Sequence, residues 1–359
     1  MKVAIGSKFI DGPWGGGNLF VKSLKDYLVD RKVSVVHNLN VKDIDIILLT
    51  EPRVESSSSS ITLLEAKLYK KYINNNVKII HRINECDERK NTNKVNKKML
   101  HVSNNSDYTV FVSYWIRDLY WKLGLKKNNS KVIMSGSNKK IFNNNDYEAW
   151  DGSSKLKILT HHWGNDWNKG FDVYSKIDNL LDNEEFNKKF NFCYIGNIPK
   201  GFKFKNTDYK KPMSGLALAA EIKSHHLYIT GSLNEPSGNH QIEASQCGLP
   251  VMYIKSGGIP DYQRDYGIEF QIDNLENKLN EVHSDYELFF KKNLNFPYSA
   301  EKMNKDYFEL FDEIQNKSHK NLGNKYYFLL YRYLYKLNLI NLYKKLLSKL
   351  SYQLNKLNL

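Results

Sequence analysis

The sequence of 359 residues contains little cysteine and no long apolar run. Cys86, Cys193 and Cys247 lie far apart, without C-x-x-C spacing or a neighbouring histidine cluster of ligand geometry, so we expect reduced thiols and no metal site. A membrane-spanning helix needs about 18 to 20 apolar residues in succession, and the chain has no such run. The apolar residues at the start break at 11–13, which is too early for the core of a signal peptide. The sequence therefore favours a cytoplasmic protein.

Acidic residues are missing from the last part of the chain. Positions 317–359 carry nine basic residues and neither Asp nor Glu, so most of the net charge of +14 lies there. The remaining chain is only mildly basic, and it has no recurring array of basic and aromatic residues, which a nucleic-acid-binding surface would show. A nucleic acid is therefore not expected as a partner.

The same segment has the pattern of an amphipathic helix, because apolar residues recur at spacings of three and four over 340–357, with lysines off that stripe. Our first interpretation is a basic helix on an anionic membrane surface, which would place the protein peripherally on the inner face of the plasma membrane. A heptad helix that pairs with a second copy, and a helix packed on its own protein, remain alternatives.

Short apolar runs alternate with segments of helical period up to about residue 260, which is typical of parallel α/β folds. A polar stretch at 143–154 separates two such series and is the best linker candidate. The sequence predicts two Rossmann-like, doubly wound α/β domains over 1–150 and 151–316, the second ending in a closing helix, and a helical tail over 317–359. The predicted strands are 3–7, 33–37, 44–50, 77–83, 108–113, 132–135, 156–160, 192–195, 227–230 and 251–254. Ligands of such sheets bind beyond the carboxyl ends of the strands, so we expect a ligand in the cleft between the domains.

The segment 234–250, NEPSGNHQIEASQCGLP, follows a predicted strand and carries two carboxylates eight positions apart. With a turn at 236–238 and Asn239 as the expected N-cap, Glu235 lies in the loop and Glu243 about one turn into a helix. The unpaired amides and positive dipole end of that helix suit a diphosphate, and a carboxylate can bind vicinal ribose hydroxyls. Spacing alone leaves open that Glu243 is a solvated helix residue and Glu235 a loop charge.

This block resembles the retaining glycosyltransferases of GT-B fold, in the large family-four group. The E-x7-E pattern of that group matches Glu235 and Glu243, and the runs Gly-Leu-Pro-Val at 248–251 and Gly-Gly-Ile-Pro at 257–260 continue the match. The resemblance implies that Glu243 holds the nucleotide ribose and that Glu235 contacts the donor sugar or its departing phosphate. It further implies that the backbone approaches the donor at Ser237, Gly238 and Asn239. Asp261 departs from the family, which often has Glu there.

Two further matches lie on either side of the linker. Gly16 and Gly17 occupy the position of the family's glycine-rich loop, which touches the donor diphosphate through backbone amides. Lys169 matches the phosphate-binding lysine, which could neutralise the departing diphosphate. Family members often carry Arg six residues before that lysine, whereas this chain has Trp163 there. Either one of the two preceding histidines supplies the second positive group, or Lys169 acts alone with the helix ends.

A fourth match is His81, which follows the predicted strand core and corresponds to a histidine that contacts the donor sugar from the first domain. A histidine at such a position is also often incidental. The neighbouring polar run 86–89 could shape an acceptor pocket. Asp43 and Asp45 form a D-x-D pattern, which we interpret as strand-edge charges rather than a metal site.

The resemblance implies transfer of a sugar, with retention, from a nucleotide-diphosphate sugar to a hydroxyl of a glycan or lipid-linked acceptor, in surface polysaccharide or glycolipid assembly. The nucleotide sugar is a co-substrate, and neither a bound cofactor nor a metal is expected. Two alternatives stay open: a nucleotide-sugar epimerase of GT-B fold, and a catalytically silent protein of that fold that binds a membrane surface.

Overall fold

A computed structural model describes residues 1–8, 16–127, 129–316 and Leu346. The rest of the predicted amphipathic tail lies outside the described residues, so its helix and its membrane contact stay predictions. Within the described part, no helix is both long enough and apolar enough to cross a membrane.

The described residues of the first unit form six strands and five helices. The strands are β1 (Lys2–Ile5), β2 (Ser34–Val36), β3 (Ile46–Leu49), β4 (Lys78–Ile83), β5 (Tyr108–Phe111) and β6 (Ser130–Val132). The helices are α1 (Gly16–Asp30), α2 (Leu63–Tyr72), α3 (Asp87–Lys90), α4 (Val95–Asn104) and α5 (Tyr114–Lys122). All neighbouring strands pair in parallel, in the order β2-β1-β3-β4-β5-β6.

The central strand β3 explains why this sheet is covered on both faces. All four of its residues are buried, and they alternate between two cores. Ile46 and Leu48 pack in the core under α1, and Ile47 and Leu49 pack in the core under α2. Since successive side chains of a strand point to opposite faces, an unbroken apolar strand requires helices on both sides.

The second unit repeats this design with six strands and seven helices. The strands are β7 (Leu156–His162), β8 (Phe190–Gly196), β9 (Asp208–Lys210), β10 (Leu227–Thr230), β11 (Val251–Ile254) and β12 (Ile268–Phe270). The helices are α6 (Phe171–Leu180), α7 (Glu184–Lys189), α8 (Gly215–Lys223), α9 (Asn239–Gln246), α10 (Ile259–Gln263), α11 (Leu275–Ser284) and α12 (Tyr286–Asn293). This sheet is also parallel, in the order β12-β11-β10-β7-β8-β9.

The strand order of the second sheet fixes where a ligand can enter. The chain adds β8 and β9 on one side of β7, and then crosses to add β10 on the other side. In open sheets such a reversal of strand order marks the position of the ligand crevice, here at the carboxyl ends of β7 and β10. The first sheet has the corresponding point between β1 and β3.

The predicted fold is confirmed: the chain forms two doubly wound α/β units. Nine of the ten predicted strands overlap an observed strand by three residues or more, and those at 227–230 and 251–254 have the predicted bounds. The strand predicted at 132–135 shares only Val132 with β6. The short strands β9 and β12 were not predicted.

The last described helix, α13 (Ala300–Asn316), returns to the first unit. Its apolar face, which includes Met303, Tyr307 and Leu310, packs in the core that contains Phe20 and Leu24 of α1. The sequence assigned this helix to the second domain as its closing element. Its packing instead places α13 in the core of the first unit. The chain therefore passes from the first unit to the second and then back to the first.

Leu310→Ala should lower the free energy of unfolding by about 3 kcal/mol, because Leu310 is fully buried between α13 and the first sheet. Lys305→Ala on the exposed face of the same helix should change it by less than about 0.5 kcal/mol. Urea denaturation of both variants measures the difference. Equal stabilities would mean that α13 is not part of this core.

Candidate functional site

Glu235 lies in the loop between β10 and α9, at the crevice of the second sheet. The backbone of this loop is held by the segment after β11: Gly258 donates its amide to the Glu235 carbonyl at 2.8 Å, and Asn234 donates to the Ser256 hydroxyl at 2.9 Å. The fit is close, because a Cβ on Gly257 would lie 2.5 Å from the Glu235 nitrogen. The Gly-Gly-Ile-Pro run therefore serves to place Glu235.

The Glu235 carboxylate is buried between two cations. Lys169 donates to Oε2 at 2.5 Å, and the Nε of Arg89 lies 3.1 Å from Oε1. Burial alone would raise the pKa of the Glu235 carboxyl, but Arg89 and Lys169 outweigh it and hold that pKa well below its ordinary value. Glu235 is therefore ionised at neutral pH.

Lys169 reaches Glu235 because of a tight backbone contact. It ends a single 3-10 turn, and Gly170 follows it with φ of 104°, a conformation that favours glycine. A Cβ on Gly170 would lie 2.6 Å from the Cα of Gly231, so the loops after β7 and β10 touch here. Lys169 itself is 6% exposed.

Arg89, which sequence reasoning missed, comes from α3 of the first unit. Its Nη1 donates to Glu85 at 3.0 Å, and its carbonyl accepts a bond from Asn168 of the second unit at 3.3 Å. The Nε lacks a well-aligned hydrogen bond among the described residues, although it lies within ion-pair distance of Glu235. The polar run 86–89 was visible in the sequence, but nothing in its spacing indicated a partner in the other domain.

Glu243 lies on the buried face of α9 and pairs with the first of the two adjacent histidines. The Nε2 of His161, at the end of β7, lies 3.0 Å from Glu243 Oε2. The Nδ1 of His161 is buried and has no hydrogen-bond partner among the described residues. Glu235 and Glu243 are both less than one-tenth exposed, so neither is the solvated charge that spacing alone left open.

His162 does not supply a second positive charge. Its Nε2 lies 2.6 Å from the hydroxyl of Tyr174, and its ring packs edge-on against His240. Burial, followed by the neighbouring His240, lowers the pKa of His162 well below its ordinary value, so the ring is neutral. The cation beside Lys169 is Arg89.

The N-terminus of α9 meets the first unit. Gly238, with φ of 69°, is the N-cap, and Asn239 is the first helical residue rather than the expected cap. Gly238 has no side chain with which to cap the first turn, and amides at such a helix start can bind an anion. A Cβ on Gly16, at the start of α1, would lie 2.7 Å from the Asn239 side-chain nitrogen, whereas Gly17 has open space among the described residues.

These positions bring most of the predicted residues together across the two units. Glu235, Lys169, Gly238 and Asn239 share one region, and Ser237 precedes the N-cap, where its carbonyl accepts a bond from the Gln241 side chain at 3.0 Å. Gly16 joins them from the opposite unit. The chemical roles of these residues stay predictions.

His81 is not among them. The predicted strand 77–83 is present as β4, which runs to Ile83, so His81 lies within the strand and not beyond it at the cleft. Its side chain is fully buried, with Nδ1 2.6 Å from the hydroxyl of Ser103 on α4. Burial lowers the pKa of His81 to about 3. The packing gives His81 a place in the interior of the first unit rather than at the cleft.

Three carboxylates outside the cluster have structural partners. Lys2 donates its backbone amide to Asp45 at 2.8 Å and forms an ion pair with Asp43 at 2.7 Å, which confirms that these aspartates are strand-edge charges. Asp261, the departure from the family pattern, accepts the Trp115 amide at 2.8 Å. It thereby links the second unit to the first turn of α5.

Among the described residues, one group has the donor atoms and closeness that a metal ion needs: Cys193, Glu221 and His225. Lys210 already donates to Glu221 at 2.7 Å, and the Nδ1 of His225 bonds the Glu221 carbonyl at 2.8 Å. Burial raises the pKa of the Cys193 thiol to about 12, which disfavours the thiolate that a metal binds. The group has the features of a packed polar cluster.

The fold is that of known GT-B glycosyltransferases. HepE of Anabaena, in complex with UDP and glucose, is 13% identical with a TM-score of 0.65, and the match covers 87% of this chain and 100% of that one. Sucrose-phosphate synthase of Thermosynechococcus elongatus is 13% identical with a TM-score of 0.64, over 88% and 100%. The lipopolysaccharide outer core galactosyltransferase WaaB is 13% identical with a TM-score of 0.61, over 87% and 100%. No family model and no curated protein matches the sequence.

Gly257→Ala should lower the free energy of unfolding by about 2 kcal/mol more than Gly152→Ala. Both glycines have positive φ, of 64° and 83°, so both substitutions carry backbone strain. Only Gly257 also faces a backbone neighbour, since a Cβ on Gly152 would meet nothing within 4 Å in the described structure. Urea denaturation measures both, and equal losses would show that the contact with the Glu235 loop is not tight.

The buried His81 should make stability depend on pH. Its folded-state pKa is about 3 and its ordinary value is 6.5, so below pH 6.5 the unfolded chain binds a proton that the folded chain excludes. The free energy of unfolding should therefore fall as the pH drops below 6.5, by about 1.4 kcal/mol per pH unit from this group. The stability difference between wild type and His81→Gln, measured at pH 7.5 and 5.5, should shrink by about that amount. A difference independent of pH would contradict a buried neutral ring.

Proposed function

We propose that this protein is a glycosyltransferase of the retaining, family-four type. It takes a sugar from a nucleotide-diphosphate sugar and transfers it to a hydroxyl acceptor. One observation carries the proposal: the ion-paired Glu235, the buried Glu243 and the glycine-capped N-terminus of α9 converge at the crevice of the second sheet, against Gly16 of the first unit. Such a crevice, with amides at a helix N-terminus, suits a phosphate-bearing ligand.

In this proposal, the diphosphate lies at the start of α9, Glu243 binds the ribose hydroxyls, and Glu235 contacts the donor sugar or the departing phosphate. The bond between the anomeric carbon and the diphosphate oxygen breaks, and its electron pair stays on the diphosphate. The acceptor oxygen bonds to that carbon and gives up its proton to the departing diphosphate. Lys169 and the α9 amides stabilise the negative charge that develops there.

The likeness to HepE bound to UDP and glucose makes a UDP-sugar the first donor to test. The likeness to a lipopolysaccharide galactosyltransferase supports a role in surface polysaccharide or glycolipid assembly. The basic composition of 317–359 fits work at an anionic membrane surface on the cytoplasmic side.

Two measurements separate this function from its alternatives. A thermal-shift screen with UDP-, GDP- and ADP-sugars identifies the donor, since a ligand that binds the folded state raises its apparent stability. Product analysis without acceptor identifies an epimerase, which would convert the nucleotide sugar alone. A protein that binds vesicles but none of these donors would be a silent surface binder, and the proposed function would be wrong.

Glu243→Ala should weaken nucleotide-sugar binding about ten-fold or more, because charge-assisted bonds to the ribose are lost. Glu235→Asp retains a charge between the two cations but withdraws it by one methylene, so turnover should fall more than donor affinity. Removing the Glu235 charge altogether would leave two close cations unpaired and would destabilise the fold.

The matched control is Glu221→Ala, which removes a carboxylate of the same unit that pairs with Lys210 instead. It should leave donor affinity and turnover within about two-fold of wild type. Calorimetric titration and initial rates of transfer give the two quantities. Wild-type rates in both site variants would contradict the assigned roles.

A further inference from the structure

Two cations from different units share the Glu235 carboxylate. One side chain of each unit approaches it: Lys169 at Oε2 and Arg89 at Oε1. A single carboxylate thus holds two positive groups in place, with Glu85 as a second partner of Arg89 at 3.0 Å. Arg89 is the member that comes from the first unit, and its side chain keeps 22% of its surface exposed.

In the second unit, the segment that leads to Lys169 contains no other lysine or arginine that could act as a second cation. Positions 161–168, which connect β7 to Lys169, contain neither Lys nor Arg. The two histidines there are committed to other partners, His161 to Glu243 and His162 to Tyr174. A nucleoside diphosphate carries two or more negative charges, and Lys169 alone would leave much of that charge unpaired.

The donor geometry of Arg89 leaves room for an anion. Its Nε is buried but forms no well-aligned hydrogen bond among the described residues, despite the 3.1 Å approach to Glu235. The approach to Glu235 is thus an ion pair without a well-directed hydrogen bond, and phosphate oxygens are acceptors whose geometry matches the guanidinium fork. The guanidinium therefore has unused donor capacity at the crevice where the ion pair of Lys169 lies.

We propose that Arg89 is the second cation of the donor site, and that it reaches across the cleft to bind the diphosphate together with Lys169. This inference rests on the proposed function. Glu235 holds the two cations apart and oriented in the unliganded protein, and the diphosphate then accepts bonds from both. Because the two cations belong to different units, the diphosphate links them, so affinity depends on the phosphates more than on the nucleoside.

The test compares UDP, UMP and uridine by calorimetric titration of wild type and Arg89→Gln. The variant should lose UDP affinity ten-fold or more, lose less for UMP, and bind uridine within two-fold of wild type. Arg89→Lys, which keeps the charge but not the guanidinium fork, should recover part of the UDP affinity. GDP and ADP, with their mononucleotides and nucleosides, replace the uridine series if UDP does not bind.

Arg117→Gln is the matched control, since Arg117 belongs to the same unit and pairs with Asp118 on the surface of α5. It should leave all three affinities unchanged, and circular dichroism during heating checks that each variant is folded. Arg89→Gln with UDP affinity within two-fold of wild type would overturn the inference. An equal loss for UDP, UMP and uridine would also overturn it, because it would indicate a role in placing the loops alone. Wild type that binds no nucleoside diphosphate would instead refute the proposed function.

Discussion

The Glu235 carboxylate, buried between Lys169 and Arg89, is the interaction on which the rest of the site depends. An ionised carboxylate in the interior is costly unless cations compensate it, and removing one partner of a buried pair typically costs about 3 to 5 kcal/mol. Here the compensation comes from both units of the fold. The Glu235 side chain therefore links three segments: the loop after β7, which ends at Lys169, its own loop after β10, and the short helix α3, which carries Arg89.

Glycines around the Glu235 carboxylate allow neighbouring backbone segments to approach one another closely. Gly170 touches Gly231, Gly257 touches the Glu235 backbone, and Gly16 touches Asn239. Each contact brings two loops, or two units, nearer than side chains would allow. The result places the N-terminus of α9 beside the carboxylate that holds both cations, which is an arrangement suited to a phosphate-bearing ligand.

The sequence predicted well what is local and poorly what depends on the meeting of distant segments. The loop 234–239 and the helix α9 follow from turn residues and helical spacing within a short window. β9 has the sequence Asp-Tyr-Lys, and Glu269 interrupts the short β12, so neither shows the apolar run by which the other strands were predicted. The end of β4 was predicted correctly, but His81 and Arg82 are polar and so suggested a site at the cleft. Instead His81 bonds Ser103 inside the unit and Arg82 packs over Phe20.

The ion pair of Arg89 and the packing of α13 could not be predicted for the same reason, because both depend on contacts between distant segments. The amphipathic pattern of 300–316 predicts a helix, but the pattern does not say which sheet the helix covers. Likewise, a charged run after a strand indicates an exposed loop, and the ion pair between Arg89 and Glu235 exists only because the two units meet there.

The most direct measurement is a crystal structure of the protein soaked with UDP. The account predicts that phosphate oxygens lie about 3 Å from the backbone amides at Gly238 and Asn239 and from the Lys169 ammonium, with the ribose on Glu243. A nucleotide bound elsewhere, or one whose phosphates point away from α9 while Glu235 and Glu243 keep their present partners, would contradict it.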